Sequence, residues 1–140
     1  FLYAQLEQAE KIIARRYAIS QHYYELLQPL CGRNIIQLPP ATEGCMNNNH
    51  IFYIITHSSE ERSKLIAFLK ERAIWALFHY VPLHSSPAGM KYGRVSGEMK
   101  VTDYISERIL RLPMYYEMTD GEIERVVGSL EEFYYAGKGK

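Results

Sequence analysis

The first 28 residues repeat apolar side chains at intervals of three and four, which predicts one long amphipathic helix. Pro29 should end it, because a residue before proline avoids helical geometry. At about 1.5 Å per residue the helix would be roughly 40 Å long. This length exceeds the breadth of a domain of this size, so we expect part of the helix to pack on another domain or chain. The positions on the predicted inner face are Leu2, Leu6, Ala9, Ile13, Tyr17, Ser20, Tyr24 and Leu27.

Two later segments, residues 50–56 and 74–81, are apolar without alternation. This pattern is typical of strands that are buried on both faces. A short edge strand is predicted at residues 112–114, because Pro113 cannot donate a hydrogen bond within a central ladder. The pattern thus predicts a short sheet of about three strands.

Three further helices are predicted. Two begin at capping boxes, formed by Ser58 with Glu61 and by Thr119 with Glu122, and a short one covers residues 102–110. Residues 84–100 are rich in Gly, Ser and Pro, which indicates a loop. Helices therefore alternate with strands, as in a small α/β sandwich. The inner face of the last helix should carry Ile123, Val126, Val127, Leu130 and Phe133.

The composition fits one ordinary globular domain of 140 residues. Sixteen basic residues balance sixteen acidic ones, so charge favours neither nucleic acid nor an anionic membrane as a partner. No apolar run is long enough to span a bilayer. The two cysteines, Cys31 and Cys45, have no metal-site spacing. We expect free thiols in a cytoplasmic protein, although a disulfide between them is conceivable.

The candidate chemistry lies at the end of the second predicted strand, where His79, Tyr80 and His84 follow an apolar run. Polar side chains at the end of a buried strand are costly unless something pairs with them. His79 could be a hydrogen-bonded strand histidine, or its imidazole and the Tyr80 hydroxyl could contact a polar ligand. A metal site would need a third ligand, and none has a familiar spacing.

Other catalytic signatures are missing from the sequence. It has no nucleophile elbow and no glycine pattern that would hold a phosphate. None of the lysines has the surroundings expected of a desolvated Schiff-base lysine. The chain also opens at Phe1, inside a predicted helix, so we expect a piece of a longer protein with no catalytic residue of its own.

Four segments together resemble a known family. Residues 2–6, 50–54, 78–89 and 106–114 are similar to the carboxy-terminal part of the DegT/DnrJ/EryC1/StrS sugar-nucleotide aminotransferases. The resemblance covers nearly the whole chain. It implies the small carboxy-terminal domain of a fold-type I aminotransferase, with a short, mainly antiparallel sheet covered by helices. Residues 1–135 would form this domain, residues 1–28 its long bridging helix, and residues 136–140 a flexible tail.

The resemblance also implies a function for the complete protein. It would transfer an amino group from glutamate to the 4-keto carbon of a dTDP-4-keto-6-deoxy sugar, in the synthesis of enterobacterial common antigen or lipopolysaccharide. Its pyridoxal phosphate would be held by a missing amino-terminal domain, so none is expected on this chain. His79 and Tyr80, and more weakly His84, match a family segment near the sugar-nucleotide pocket, so they would position substrate.

Two other functions stay open at this point. A small α/β chain could be a free-standing ligand-binding or regulatory module. The tyrosine doublets Tyr23/Tyr24, Tyr115/Tyr116 and Tyr134/Tyr135 would also suit a dimerisation domain. The aminotransferase interpretation predicts self-association, with a homodimer as the expected form, because the surface toward a missing domain would be exposed.

Overall fold

The computed structural model describes residues 2–40, 43–45 and 47–136. Short helices and strands alternate after one long helix, as the sequence predicts. A single helical turn lies at Leu83–Ser85. The elements in chain order are α1 (Leu2–Leu6), α2 (Ala9–Gly32), β1 (Phe52–Ile55), α3 (Ser59–Glu71), β2 (Leu77–Phe78), α4 (Pro87–Tyr92), α5 (Lys100–Arg108), β3 (Ile109–Leu112) and α6 (Asp120–Ala136).

The three strands form one antiparallel sheet in the order β1-β3-β2. Phe52 lies opposite Leu112 and Ile55 opposite Ile109, while Leu77 lies opposite Arg111 on the other side of β3. The expected α/β fold, a small antiparallel sheet with helices on it, is confirmed.

The hydrophobic core lies between one face of the sheet and the helices α2, α3 and α6. Tyr23 of α2 stacks on Phe52 of β1 with the ring centroids 4.8 Å apart. The Tyr23 hydroxyl donates to the Pro113 carbonyl at 3.0 Å, and burial raises the pKa of this phenol. Leu69 of α3 and Leu130 of α6 complete the same cluster with no exposed surface. Aromatic stacking and aliphatic packing therefore fix the helices to the sheet.

The long helix differs from its prediction in where it breaks. It does not stop before Pro29, which lies inside the last turns of α2, and the break comes at Glu7 and Gln8 instead. A proline inside a helix removes one backbone hydrogen bond and crowds the carbonyl four residues earlier. The burial of Leu27 and Leu30, which have no exposed surface, offsets this cost and holds this end of the helix in the core.

The buried face of the long helix also differs from the prediction. Ile19, Ser20, Tyr23, Leu27 and Leu30 are buried, whereas most of the predicted face in the first half of the helix is solvent-exposed. The spacing of apolar residues shows that a helix has an apolar stripe, but it does not show which side packs on the rest of the domain. The predicted face therefore includes both buried and exposed positions. The exposed positions of the predicted face include Leu2, Leu6, Ile13 and Tyr17.

The second and third strands were assigned wrongly in part. The predicted strand over residues 74–81 is reduced to the two residues of β2, and both are half exposed rather than buried. The predicted edge strand at residues 112–114 is instead β3, which ends at Leu112 and is the central strand. Pro113 follows the ladder, so its missing N–H disrupts nothing. The predicted helix over residues 102–110 ends at Arg108, and residues 87–92 of the predicted loop are helical.

Both predicted capping boxes mark true helix starts. The Ser58 hydroxyl accepts from the Glu61 N–H at 3.1 Å, and the Glu122 N–H donates to the Thr119 hydroxyl at 3.3 Å. Glu122 returns the bond by accepting from the Thr119 N–H at 2.8 Å. Helix α6 runs to Ala136, the first residue of the predicted tail, and residues 137–140 lie outside the described residues.

Candidate functional site

His79 and Tyr80 lie directly after β2, at the edge of the sheet. The His79 ring is half-buried, and its centroid is 4.1 Å from that of Tyr80. The buried Nδ1 atom of His79 has no hydrogen-bond partner among the described residues. Burial is the first cause that lowers the pKa of His79, followed by the positive charges of Arg111 and His50. The imidazole is therefore biased toward its neutral form, and its buried Nδ1 is left without a partner.

Tyr80 has an unusual backbone conformation. Its φ is +66°, in the left-handed region that bulky residues rarely adopt, and its side chain is 68% exposed. Such strain costs free energy and tends to occur at ligand sites. The Tyr80 side chain lies largely in solvent, beside the His79 ring.

His84 has different surroundings. It lies in the single helical turn Leu83–Ser85, and its Nε2 is 2.7 Å from a carboxylate oxygen of Asp103 on α5. This ion pair or hydrogen bond joins the segment after β2 to α5. Within the described part of the chain, no hydrogen bond links His84 to His79 or Tyr80. The structure thus brings His79 and Tyr80 together, whereas His84 contacts Asp103.

Arg111 is a residue that the sequence analysis missed. Its neighbours Leu110 and Leu112 are buried in the core, so alternation puts Arg111 on the other face of the central strand, half-buried. Tyr53 and Leu77 are its partners across the ladder on either side. A charged residue between two leucines is typical of a strand with one open face. The predicted helix over residues 102–110 included Leu110, so this alternation was not recognised as part of a strand.

Large apolar side chains form an exposed rim near this site. Trp75 is 69% exposed, and several large apolar side chains along β2 and the next turn are also open to solvent, although Ala76 between them is buried. Such a run is unusual on the surface of a complete domain and marks a contact region for a ligand or another protein segment. The other exposed members of the rim are Leu77, Phe78, Val81 and Leu83.

Two grooves in the surface lie away from the predicted residues. The larger has a volume of about 1030 Å³ and runs along α2, where Ile13, Tyr17 and Tyr24 line it together with Cys45. The smaller, of about 400 Å³, lies between Trp75, Pro113 and Arg125. Neither groove is lined by His79, Tyr80 or His84. The candidate site is therefore an open surface at the sheet edge rather than an enclosed pocket.

The described residues offer little other chemistry. Lys11, Lys64, Lys70, Lys91 and Lys100 are all solvent-exposed, so none has the desolvated environment of a Schiff-base lysine. No group of three or more metal-ligating side chains lies together in residues 2–40, 43–45 and 47–136. Cys31 and Cys45 are free thiols. Over the same residues, every helix is too short or too polar to cross a bilayer.

Comparison with known proteins gives consistent results. A sequence model of the DegT/DnrJ/EryC1/StrS aminotransferase family matches residues 1–131. A dTDP-3-amino-3,4,6-trideoxy-alpha-D-glucose transaminase from Micromonospora megalomicea is 27% identical over 129 residues, which is 91% of this chain and 34% of that protein. A protein named pleiotropic regulatory protein, from Geobacillus stearothermophilus, is 30% identical over 80% of this chain and 29% of its own length.

A solved structure agrees with the sequence matches. The crystal structure of DesV from S. venezuelae, in complex with a ketimine intermediate, superposes with a TM-score of 0.81 at 28% identity. The match covers 94% of this chain and 34% of DesV. This chain therefore spans about a third of the length of the relatives it matches.

Proposed function

This chain belongs to the DegT/DnrJ/EryC1/StrS aminotransferase family, and we propose that it is the small carboxy-terminal domain of a pyridoxal-phosphate-dependent sugar-nucleotide aminotransferase. The observation that carries this proposal is the family match over residues 1–131, to proteins of which the chain spans about a third. The exposed apolar rim after Ile74 supports it, because this surface would be covered by the rest of the protein.

The proposed reaction is amino transfer from glutamate to the 4-keto carbon of a dTDP-4-keto-6-deoxy sugar. The dTDP-sugar transaminase from M. megalomicea supports a nucleotide-linked sugar as the substrate class. The choice of the 4-keto sugar, and a role in enterobacterial common antigen or lipopolysaccharide synthesis in the cytoplasm, follow from the resemblance of residues 78–89 and 106–114.

The residues described in this chain do not fit pyridoxal phosphate. The cofactor of such enzymes is bound through a lysine, and every described lysine is exposed, without a desolvating pocket. We therefore assign the cofactor to an amino-terminal domain of the parent protein, and the contribution of this chain is to bind and orient substrate.

His79 and Tyr80 are proposed to position the sugar nucleotide. A neutral imidazole has one ring nitrogen that donates and one that accepts, so it can bond to a sugar hydroxyl, and the exposed phenol of Tyr80 beside it can do the same. His84 has a more indirect role: its bond to Asp103 holds the segment after β2 against α5 and so fixes the path of the chain beyond Tyr80.

One experiment compares this chain with its parent protein. The 140-residue chain and the complete reading frame would each be purified and incubated with pyridoxal phosphate, glutamate and dTDP-4-keto-6-deoxyglucose. We expect 2-oxoglutarate and amino sugar from the parent and none from the chain alone. Turnover by the chain alone, or a parent that does not transfer an amino group to any sugar nucleotide, would refute the proposal.

A second experiment tests the positioning role of His79. In the parent, His79→Ala should lower kcat/KM for the sugar nucleotide by about tenfold or more, the equivalent of one lost hydrogen bond. His22→Ala is the matched control, because His22 lies on α2 and contacts Asp120. Equal kinetics for the two variants would contradict a role for His79.

A regulatory module is the alternative that one observation favours, namely the 30% identity to a protein named pleiotropic regulatory protein. The match covers only 29% of that relative, so it supports a regulatory role and not a free-standing chain. Sequencing the surrounding gene tests the free-standing form, since the aminotransferase proposal requires a continuous frame that encodes a cofactor domain upstream.

The parent is proposed to be a homodimer, and the exposed rim should also make the isolated chain self-associate. Sedimentation velocity at several concentrations measures this directly. A chain that stays monomeric at the highest concentration would contradict the expected self-association.

A further inference from the structure

Residues 82–93, which follow the candidate site along the chain, form a self-contained unit. The Ser86 hydroxyl donates to the Leu83 carbonyl at 2.8 Å and accepts from the Gly89 N–H at 3.0 Å. The Ser86 N–H also donates to the Pro82 carbonyl at 3.1 Å. Gly89 lies so close to the Leu83 carbonyl that an added Cβ would overlap with its oxygen. The single helical turn and α4 are therefore bonded and packed to each other as parts of one rigid piece.

This unit is weakly attached to the rest of the domain. Neither the helical turn nor α4 contains a buried residue. Among the described residues, one hydrogen bond joins residues 82–93 to any other part of the chain: His84 Nε2 lies 2.7 Å from a carboxylate oxygen of Asp103 on α5. The His84 side chain is only 16% exposed, whereas Leu83 beside it is 84% exposed. His84 is thus the point at which the unit is attached to α5.

The chain on either side of the unit lacks regular structure that would hold it. Tyr80, two residues before the unit, has φ at +66°. Residues 94–99 after it form neither helix nor strand, and Gly97 has φ at +78°. A segment without buried residues, between two irregular connections, opens at a low cost in free energy. A partly exposed histidine–carboxylate pair adds little to that cost, so it can hold the segment in place and still release it.

We propose that residues 82–93 are a flap beside the candidate site, and that Asp103 is a positioning residue whose bond to His84 holds this flap in place. Because an ionised carboxylate only accepts hydrogen bonds, the shared hydrogen lies on His84 Nε2. Only Val81 separates the flap from Tyr80, so the position of the flap determines the space around the Tyr80 phenol. Loss of the bond lets the flap open as one body. The ligand that the flap borders, a sugar nucleotide, rests on the proposed function.

The first test measures the motion of the flap in the 140-residue chain, without any ligand. Nuclear magnetic resonance relaxation dispersion of the backbone amides compares the wild type with Asp103→Ala. The population of the open flap should rise by about threefold or more in the variant, with a common exchange rate for residues 83–93. The Met90 N–H donates to the Ser86 carbonyl at 2.8 Å within the flap, so its hydrogen exchange should stay as in the wild type.

Two further variants separate the bond from other effects of the substitution. Asp103→Asn keeps an oxygen that accepts from His84 Nε2, so it should restore most of the wild-type behaviour. Asp120→Ala is the matched control, because Asp120 pairs with His22 at 3.4 Å, outside the flap and α5. It should leave the motion of the flap unchanged. Circular dichroism checks that each variant is folded.

The second test measures whether the flap serves the reaction of the parent protein. Asp103→Ala should raise the KM for the sugar nucleotide by about threefold or more and change kcat by less than about twofold, because Asp103 acts on binding and not on the reacting atoms. Asp103→Asn should return the KM toward the wild-type value, and Asp120→Ala should leave both constants unchanged.

The flap is overturned if Asp103→Ala has the same relaxation as the wild type. It is also overturned if the Met90 amide loses its protection, since the segment would then unfold rather than move as one body. Equal effects of Asp103→Ala and Asp103→Asn would show that the bond to His84 does not hold the flap.

The positioning role of Asp103 is overturned if the parent and its Asp103→Ala variant have equal KM values for the sugar nucleotide. A parent without transaminase turnover would instead remove the proposed function. The relaxation measurements on the 140-residue chain would still decide the flap, because they need no substrate.

Discussion

Strands β1 and β2 have the same apolar character in the sequence and opposite surroundings in the structure. In β1, Phe52 and Ile54 are buried in the core, and Ile55 pairs on its outer edge with Gln37. In β2, Leu77 and Phe78 are 55% and 50% exposed. The two strands flank the same central strand, so sheet position does not account for the difference. Helix α2 packs on β1 through the Tyr23 and Phe52 rings, whereas the flank of β2 is open.

This contrast separates apolar residues that stabilise the domain from apolar residues that the domain leaves exposed. Those of β1 contribute to folding because water is excluded from them in the chain itself. Those around β2 gain little until a ligand or another protein segment covers them. The residues with candidate chemistry, His79, Tyr80 and Arg111, lie on or beside β2, on the side of the sheet that the domain leaves open.

The largest effect should come from truncating one phenylalanine in each strand. Phe52→Ala removes a buried ring from between α2 and the sheet, which should lower the free energy of unfolding by about 3–5 kcal/mol. Phe78→Ala removes a half-exposed ring that contacts the Arg62 guanidinium, and should cost less than about 1.5 kcal/mol. Urea denaturation measures both, and equal losses would contradict the contrast between the strands.

A smaller, stabilising effect is expected at the turn that leads into β2. Ala73 lies two residues after the end of α3 with φ at +55°. Its N–H donates to the Lys70 carbonyl, and the Ile74 N–H donates to the Leu69 carbonyl. Glycine adopts this left-handed conformation without the steric cost of a Cβ. Ala73→Gly should therefore raise the free energy of unfolding by about 1 kcal/mol, measured by thermal or urea denaturation.

Asn34 is the internal control, since it closes α2 in the same way with φ at +54°. Asparagine tolerates the left-handed region better than alanine, so Asn34→Gly should change the stability by less than about 0.5 kcal/mol. A loss of stability in Ala73→Gly would mean that the turn before β2 is not strained as described.

The smallest expected effect is the contribution of His79 to the pH dependence of stability. Because the pKa of folded His79 lies below its ordinary value, the unfolded chain takes up a proton first as the pH falls. The contribution of His79 to the free energy of unfolding is therefore fully present above the pKa that His79 has in the unfolded chain. It is lost as the pH drops toward the pKa of His79 in the folded chain. His79→Gln should lose less stability than the wild type between about pH 7.5 and pH 5.

The same titration tests the neighbourhood of Arg111. Removing its charge in Arg111→Gln should raise the pKa of His79, while burial continues to hold it below the ordinary value. Nuclear magnetic resonance of the imidazole protons against pH measures this. An unchanged His79 titration in Arg111→Gln would show that the two side chains do not interact.

Parts of the candidate site could be found from the sequence. His79 and Tyr80 follow an apolar run. Burying a polar group there without a partner costs free energy, which is why the sequence identifies them as candidates. Arg111 could not be found, because the helix predicted through residues 102–110 covered the first half of β3. In the structure α5 ends at Arg108 and β3 begins at Ile109. With these bounds Leu110 and Leu112 face the core and Arg111 faces the other side of the sheet.

Local spacing in the sequence predicted the alternation of helices with strands, both capping boxes and the inner face of α6, because these depend on contacts between near neighbours. The sequence also carried the similarity to the aminotransferase family. Three features became known from the three-dimensional packing alone: the buried side of α2, the central position of β3, and the exposure of β2. These features depend on contacts between residues that are distant in the sequence. A local pattern of apolar residues does not show which other segment, if any, covers them.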